Sequence, residues 1–260
     1  MTTDIVKNVE FKINEESLNI DVNFELTAMT NDDIFEYLNA MHKLNIVKFP
    51  KVNDVGRHVL EKNKNKIFIK ENFKLRDKEF CCSRFMDKHP SEIDENSIVL
   101  ILESPHIYEF DENFDPIAPA QGSTGLAIKN KINAVLMEIE EKKLVDLENE
   151  VEYRLILVNP VPYQTSLWHF HQKSLSISKY KTLRDKVWKE IWKESIIQDD
   201  FNIRLQKYKP KLIINACTSH LTKEIDNFLL VKFKDTPFVS TYHPAVNWNK
   251  GSYGIRSAVK

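Results

Sequence analysis

The stretch SIVLILESP, residues 97–105, is a continuous apolar run that ends in a carboxylate, a hydroxyl and a proline. The same design returns in YRLILVNPVPY (153–163), in PKLIINACTSH (210–220) and, more briefly, in PFVSTYHPA (237–245). Continuous rather than alternating runs of Val, Ile and Leu are typical of strands covered on both faces, as in parallel sheets. These four segments therefore predict the buried strands of one sheet.

Helical patterns lie between the predicted strands. Apolar residues recur at helical spacing in GLAIKNKINAVLMEIEEKKL (125–144), KTLRDKVWKEIWKESI (181–196) and TSHLTKEIDNFLL (218–230). Alternation of strands and helices predicts an α/β domain over residues 96–260, with a central, mostly parallel sheet flanked by helices. Ligands bind such sheets beyond the carboxyl ends of the strands.

Residues 1–95 have a different pattern of apolar and polar residues and are interpreted as an N-terminal α+β extension of unknown role. VEFKIN (9–14) and LNIDVNFEL (18–26) alternate apolar and polar residues, as half-buried strands do. NDDIFEYLNAMHKL (31–44) has the pattern of a capped helix. The highly charged stretch 62–80 predicts exposed surface. None of these segments contains a recognisable chemical motif.

Composition limits the function classes. With 260 residues, 42% hydrophobic and 29% charged, the chain can form a full globular core. Its net charge is −1, yet residues 202–260 hold ten Lys or Arg against three acids, a surplus of seven. That surplus indicates either a phosphate-facing surface or an ordinary solvated face.

Cysteine and histidine usage predicts neither a metal nor another cofactor. The three cysteines contain no CxxC pair, which argues against a zinc ribbon or an iron–sulfur cluster. His169 and His171 have the spacing of a strand-borne metal pair, but no third ligand accompanies them. The opening residues show no export signal and no apolar run reaches membrane-spanning length. We therefore expect a cytoplasmic, monomeric protein without a membrane partner.

Polar side chains stand where the predicted strands end. Glu103 and Ser104 follow the first, Asn159 the second and His243 the fourth, and a proline comes next in each case. Proline ends the strand and restricts the residue before it. A carboxylate, an amide and an imidazole should therefore converge on one rim of the sheet as a site. The alternative is that each is an ordinary turn residue.

In their order, these motifs resemble the uracil-DNA glycosylase superfamily, especially the branch that commonly carries an iron–sulfur cluster. LESPH (102–106) takes the place of the family's Gly-Glu-Ala-Pro-Gly, and GSTGLAIKNKI (122–132) that of its Gly-x-x-Gly loop entering a helix. LVNPVPYQ (157–164) and KPKLIINACTSHLTKEI (209–225) resemble the following strand units. TYHPA (241–245) matches the closing motif letter for letter.

The resemblance implies a DNA-repair hydrolase that flips a deaminated or modified base out of DNA and cleaves its N-glycosidic bond. The substrate strand could be single-stranded. The implied catalytic residues are Glu103, Ser104 and His243. The implied base-binding residues are Asn159, His106 and Tyr163. The implied DNA-binding residues are Gly122, Ser123, Lys250, Arg256 and Trp248, the last as an exposed wedge beside a flipped base.

Several positions depart from the family pattern. Leu102 and His106 replace glycines, Ser104 stands where some branches have Asp or Asn, and the cluster cysteines are missing. No ring precedes the Gly-x-x-Gly segment, so the stacking aromatic is one of Tyr108, Phe110, Phe114 and Tyr163. Two alternatives follow: an inactive module that binds modified bases or nucleic acid, and a nucleoside or nucleotide hydrolase.

Overall fold

The computed structural model describes residues 4–13, 16–25, 51–64, 66–72, 96–166 and 177–257. Its strands are β1 Asp4–Ile13, β2 Glu16–Glu25, β3 Val55–Asn63, β4 Lys66–Asn72, β5 Ser97–Ile101, β6 Glu152–Val158, β7 Pro210–Asn215, β8 Phe238–Ser240 and β9 Arg256–Ser257. Its α-helices are α1 Ser123–Glu141, α2 Ile177–Lys193, α3 Ser195–Tyr208, α4 Thr222–Lys232 and α5 Pro244–Asn247. Short 3₁₀ helices cover Ile107–Glu109 and Trp248–Lys250.

A seven-stranded mixed sheet has the order β4-β3-β6-β5-β7-β8-β9. The four central strands, β6, β5, β7 and β8, are parallel to one another. Antiparallel pairs complete both edges, with β3 and β4 beside β6 and with β9 beside β8. The fold is thus α/β with a mixed sheet that is parallel in its core, which confirms the predicted class at that level.

Strand β5 shows why its sequence has no polar alternation. All five of its residues are buried. Val99 and Ile101 belong to a core cluster with the apolar faces of α2, α3 and α4. Ile98 and Leu100 belong to a second cluster with the buried face of α1. Because helices cover both faces, residues 98–101 are all apolar, and the buried hydroxyl of Ser97 at the start of the strand donates to the carbonyl of Tyr208 at 2.7 Å.

The boundary predicted at residue 95 needs correction, because β3 and β4 precede it and still pair within the main sheet. The first part of the charged stretch 62–80, predicted to be exposed surface, ends β3 and forms β4, on which Lys66, Phe68 and Lys70 are exposed. There Ile67 is buried while Phe68 is half exposed, as on an edge strand with one wet face. The hairpin of β1 and β2 forms a separate two-stranded sheet. The helix predicted at 31–44 lies outside the described residues.

One positive charge of the C-terminal surplus is internal. The guanidinium of Arg204 on α3 donates to both carboxylate oxygens of Asp54 at 2.8 and 2.9 Å and to Asp200 at 2.8 Å. A third nitrogen donates to the carbonyl of Asn159 at 3.1 Å. Arg204 therefore ties α3 to the segment before β3 and to the end of β6, rather than facing solvent. Among the described helices, none has the length and apolar character needed to cross a membrane.

Candidate functional site

The candidate site lies where the order of the central strands reverses. The chain passes from β5 to β6 on one side and later returns to β7 on the other side of β5. In open α/β sheets this switch point, at the carboxyl ends of the strands, is where ligands bind. Glu103 follows β5 by two residues and so stands at the switch point.

The backbone and the carboxyl group of Glu103 are both fixed by neighbours. The indole N–H of Trp188 donates to its carbonyl at 2.8 Å. The hydroxyl of Thr218 donates to Oε2 at 2.9 Å, and Nη2 of Arg184 lies 3.5 Å from the same oxygen. Oε1 faces Nε2 of His243 at 3.7 Å. The side chain is 7% exposed, so these contacts largely replace water.

Burial raises the pKa of the Glu103 carboxyl above its usual value, since a desolvated carboxylate is disfavoured. The charge of Arg184 and the hydrogen bond from Thr218 act in the opposite direction. The carboxyl group is therefore a stronger base than a solvated glutamate. It is also held in one orientation, as a residue that orients water or faces a developing cation must be.

His243 precedes α5, with its backbone extended and Pro244 at the first helical position. The amide of Thr241 donates to the carbonyl of Asn215 at 2.8 Å, and that of Tyr242 to the carbonyl of Tyr253 at 2.8 Å. These bonds continue the sheet up to the histidine. Proline then fixes the exit, so the imidazole projects from a rigid strand end.

Gly254 supports the same strand end. It has φ +59°, and a Cβ there would lie 2.5 Å from a ring carbon of Tyr242. Only glycine allows both this left-handed backbone and the close approach of the ring. The tyrosine beside His243 is thereby held against the returning chain.

The imidazole of His243 is neutral at neutral pH. Burial lowers its pKa to about 4, and the nearby charge of Arg184 acts in the same direction. Its 3.7 Å contact with Glu103 is therefore not an ion pair. A neutral imidazole in a fixed position can donate a hydrogen bond to an oxygen that gains negative charge.

A cavity of about 380 Å³ opens beside this pair. Six of the residues singled out from the sequence line it: Glu103, Ser104, His106, Gly122, Ser123 and His243. The other lining residues are Leu102, Pro105, Tyr108, Glu109, Thr124, Ser166 and Arg184. The volume lies within the range of about 300–1,000 Å³ that small-molecule sites occupy.

Local contacts shape the rest of the wall. The hydroxyl of Ser104 shares a 2.8 Å hydrogen bond with that of Thr165, so it is anchored. The rings of His106 and Tyr108 lie 5.0 Å apart, tilted. A Cβ on Gly122 would lie 3.2 Å from Cδ2 of Tyr108, so the absent side chain lets this ring approach the start of α1.

Asn159 and Tyr163 do not line the cavity. Tyr163 is buried in the core on the α2–α4 face, where burial raises the pKa of its phenol. Asn159 is 1% exposed, and neither polar atom of its side chain has a hydrogen-bond partner among the described residues. Gln164, fully buried, shares this condition in the same part of the chain. A buried amide left without partners costs about 1–3 kcal/mol, so such groups call for an explanation.

The expectation that Trp248 is exposed is wrong. Its ring is fully buried, packs edge-on against Tyr253 at 6.3 Å and belongs to the core cluster that contains the buried face of α1. The 3₁₀ helix at 248–250 turns the indole inward, and it ends at Gly251 with φ +71°. Lys250 and Arg256 are exposed, as phosphate-binding residues must be.

Two residues of the site have no role in the sequence-based prediction, and a third was only one of several candidates. Arg184 and Thr218 touch Glu103 but come from a helix face and from the loop after β7. Tyr108 is 54% exposed yet lines the cavity; the sequence named it only as one of four candidates for stacking. The detectable signal for Arg184 was its position one helical turn before Trp188 on α2.

Within the described residues no three His, Cys, Asp or Glu side chains are grouped as metal ligands would be. His169 and His171 lie outside those residues. Comparison with family models, with curated proteins and with solved structures gave no match. A functional assignment therefore depends on the geometry of the cavity and on the resemblance of the motifs.

The neutral state of His243 predicts a loss of stability in mild acid. Its pKa is near 6.5 when solvated and about 4 in the fold, so unfolding takes up a proton between those pH values. The stabilisation is complete above about pH 6.5 and is lost as pH falls towards 4, by about 3 kcal/mol. Urea unfolding at pH 4–7 gives the free energy of unfolding of wild type and of His243→Gln, and only wild type should lose this contribution in mild acid. Free energies of unfolding that change in parallel with pH in the two proteins would contradict a neutral, buried His243.

Proposed function

We propose that the chain is a monofunctional DNA glycosylase, which accepts a flipped, deaminated or otherwise modified base and hydrolyses its N-glycosidic bond. One observation carries the proposal: a buried carboxyl group and a neutral imidazole face each other at 3.7 Å beside a cavity at the switch point of the sheet. The order of the surrounding motifs, which resembles that of uracil-DNA glycosylases, supports it.

The two groups match the two charges that develop when a glycosidic bond breaks. The sugar gains oxocarbenium character, which a carboxylate such as Glu103 stabilises or relieves by orienting water for attack. The departing base gains negative charge, to which the neutral imidazole of His243 donates a hydrogen bond. The raised pKa of Glu103 also suits it to accept the proton of the attacking water.

Tyr108 is the aromatic residue best placed to stack on a flipped base. Of the four candidates, it alone lines the cavity. Its ring is half exposed, whereas Phe110 and Tyr163 are buried. Stacking of a base on an aromatic ring contributes about 1–3 kcal/mol per base.

We assign Asn159 to hydrogen-bond the edge of the flipped base, because its amide offers a donor and an acceptor side by side. The amide is buried and has no hydrogen-bond partner among the described residues, which is what an amide kept for a ligand would show. Since Asn159 does not line the cavity, this role requires a bound base to extend beyond the present cavity wall.

A lyase step is not part of the proposal. Schiff-base formation at the sugar needs an amine within reach, and no lysine lines the described cavity. The released products should therefore be a free base and an intact abasic site. DNA contacts are assigned to the cavity residues Gly122 and Ser123 and to the exposed side chains of Lys250 and Arg256.

A second candidate is a module that binds modified bases without cutting them. It is favoured by Ser104, a neutral residue where some branches of the family carry Asp or Asn, which here is tied to Thr165. In that case His243 and Asn159 would contribute to affinity alone.

A panel of single- and double-stranded oligonucleotides with one modified base each separates these functions. Alkali after incubation should cleave one substrate class at the modified position, with no cleavage before alkali. Selective binding without alkali-sensitive sites would favour the binding module instead. Release of base from free nucleosides but not from DNA would favour a nucleoside hydrolase.

A further inference from the structure

Two residues one turn apart on α2 contact Glu103 at different points. Trp188 donates its indole N–H to the main-chain carbonyl, and Arg184 places its guanidinium against the carboxyl group. Trp188 is fully buried and stacks on Trp192, with centroids 5.4 Å apart, so this part of the helix is fixed in the core. The guanidinium is therefore presented from a rigid support.

Hydrogen bonds to Asp185 and Thr218 fix the orientation of the Arg184 guanidinium. Nε and Nη2 both donate to Oδ1 of Asp185, at 3.0 and 2.7 Å. Nη2 also donates to the Thr218 hydroxyl at 3.4 Å, and that hydroxyl in turn donates to Oε2 of Glu103 at 2.9 Å. Arg184 thus reaches the carboxyl group twice, directly at 3.5 Å and through Thr218.

We propose that Arg184 is a positioning residue, which together with Thr218 holds the Glu103 carboxylate against His243 in its working orientation. The catalytic importance of this role rests on the proposed function, but the effect of Arg184 on the ionisation and orientation of Glu103 does not. Arg184 forms no covalent bond in the proposed reaction. The residue keeps a buried carboxyl group ionised and oriented in a place where burial favours the protonated form.

Other ionisable groups around Glu103 do not replace Arg184. Asp185, also on α2, carries a charge that raises the pKa of Glu103 and so opposes its ionisation. After β7 stands Cys217, whose thiol has a pKa raised by burial and stays protonated. His243 is neutral. Elsewhere on the cavity wall are His106, Tyr108 and Glu109. Among these residues Arg184 supplies the fixed positive charge.

The test is a carboxyl-carbon NMR titration of the folded protein without any substrate, with the Glu103 signal assigned by its loss in Glu103→Gln. In Arg184→Gln the pKa of Glu103 should rise by about one unit or more, because an adjacent cation lowers a carboxyl pKa by about 1–3 units. Arg184→Lys should restore part of the shift. Lys186→Gln, the same charge change at an exposed position of α2, should leave the pKa unchanged.

A pKa of Glu103 that stays within about 0.3 units of wild type in Arg184→Gln overturns the inference, because a neighbouring charge must shift it by more. If that variant does not fold, Thr218→Val and Arg184→Lys are titrated instead. Both should raise the pKa, and an unchanged value in both overturns the inference. Since no substrate is used, this result is independent of whether the protein cuts DNA. With a substrate in hand, the acid limb of the pH–rate profile should move to higher pH by the same amount.

Discussion

Replacement of His243 by alanine is expected to lower the single-turnover rate of base release by about a hundredfold or more, with DNA affinity nearly unchanged. The imidazole is neutral and fixed at a strand end, so its hydrogen bond strengthens only as charge develops on the leaving base. Loss of one such donor typically costs about a hundred- to thousandfold in rate. Single-turnover assays with enzyme in excess measure the effect directly.

The matched control is His220→Ala, which removes an exposed histidine from the loop before α4. It should leave both rate and affinity at wild-type values. A His243→Ala protein that loses affinity for the modified base, while wild type cuts nothing, would instead identify a binding module. A wild-type rate in His243→Ala would show that the imidazole does not face the leaving base.

Glu103→Gln is expected to slow base release by about a hundredfold or more, since positioned acid–base groups contribute about 10²–10⁴. Glutamine keeps the shape and can still accept from Thr218, but it carries no charge to face the sugar cation and cannot take a proton from water. The wild-type rate should fall as pH drops through the raised pKa of Glu103, because only the carboxylate is active.

This fall in rate at low pH, the acid limb of the pH–rate profile, should be absent from the residual activity of Glu103→Gln. Its absence would identify Glu103 as the group that titrates. Glu224→Gln, at an exposed position in the first turn of α4, supplies the control for a change of surface charge. An acid limb that persists unchanged in Glu103→Gln would assign the titration to another residue. Undiminished activity would remove Glu103 from the chemistry.

The central strands could be predicted from sequence because burial on both faces of the sheet produces continuous apolar runs. A strand such as β5, which helices cover on both faces, is apolar at each position from Ile98 to Ile101, and this run can be recognised without knowing which strands pair with it. The place of β3 in the main sheet could not be predicted, because it depends on pairing with β6, roughly a hundred residues later, and β4 joins the sheet only through its hairpin with β3. Helix α3 has no separate signal in the sequence, because the predicted helix 181–196 runs past the end of α2 at Lys193, and only the extended backbone of Glu194 separates α2 from α3, which starts at Ser195.

The site likewise has one part that could be predicted from sequence and another that depends on tertiary packing. Strand ends converge by topology, so the approach of Glu103 and His243 could be expected from the order of the strands. The contacts of Arg184 and Thr218 depend on how α2 packs and could not. Trp248 was misjudged because a polar-looking segment, VNWNKGSYG (246–254), suggested a loose loop, while the short helix buries the ring. Asn159 stands at a strand end as predicted, but its side chain is buried and does not line the cavity.

The most direct test of the central claim, that Glu103 and His243 together form a glycosylase site, is mass spectrometry of the base released from the oligonucleotide panel. Wild type should release one free modified base and leave an abasic site of matching amount. The double variant Glu103→Gln/His243→Ala should release the base about as slowly as the slower single variant, because the effects of residues that act as a unit are not additive. Release of the base by the double variant at the wild-type rate, or no release from any substrate by wild type, would contradict the claim.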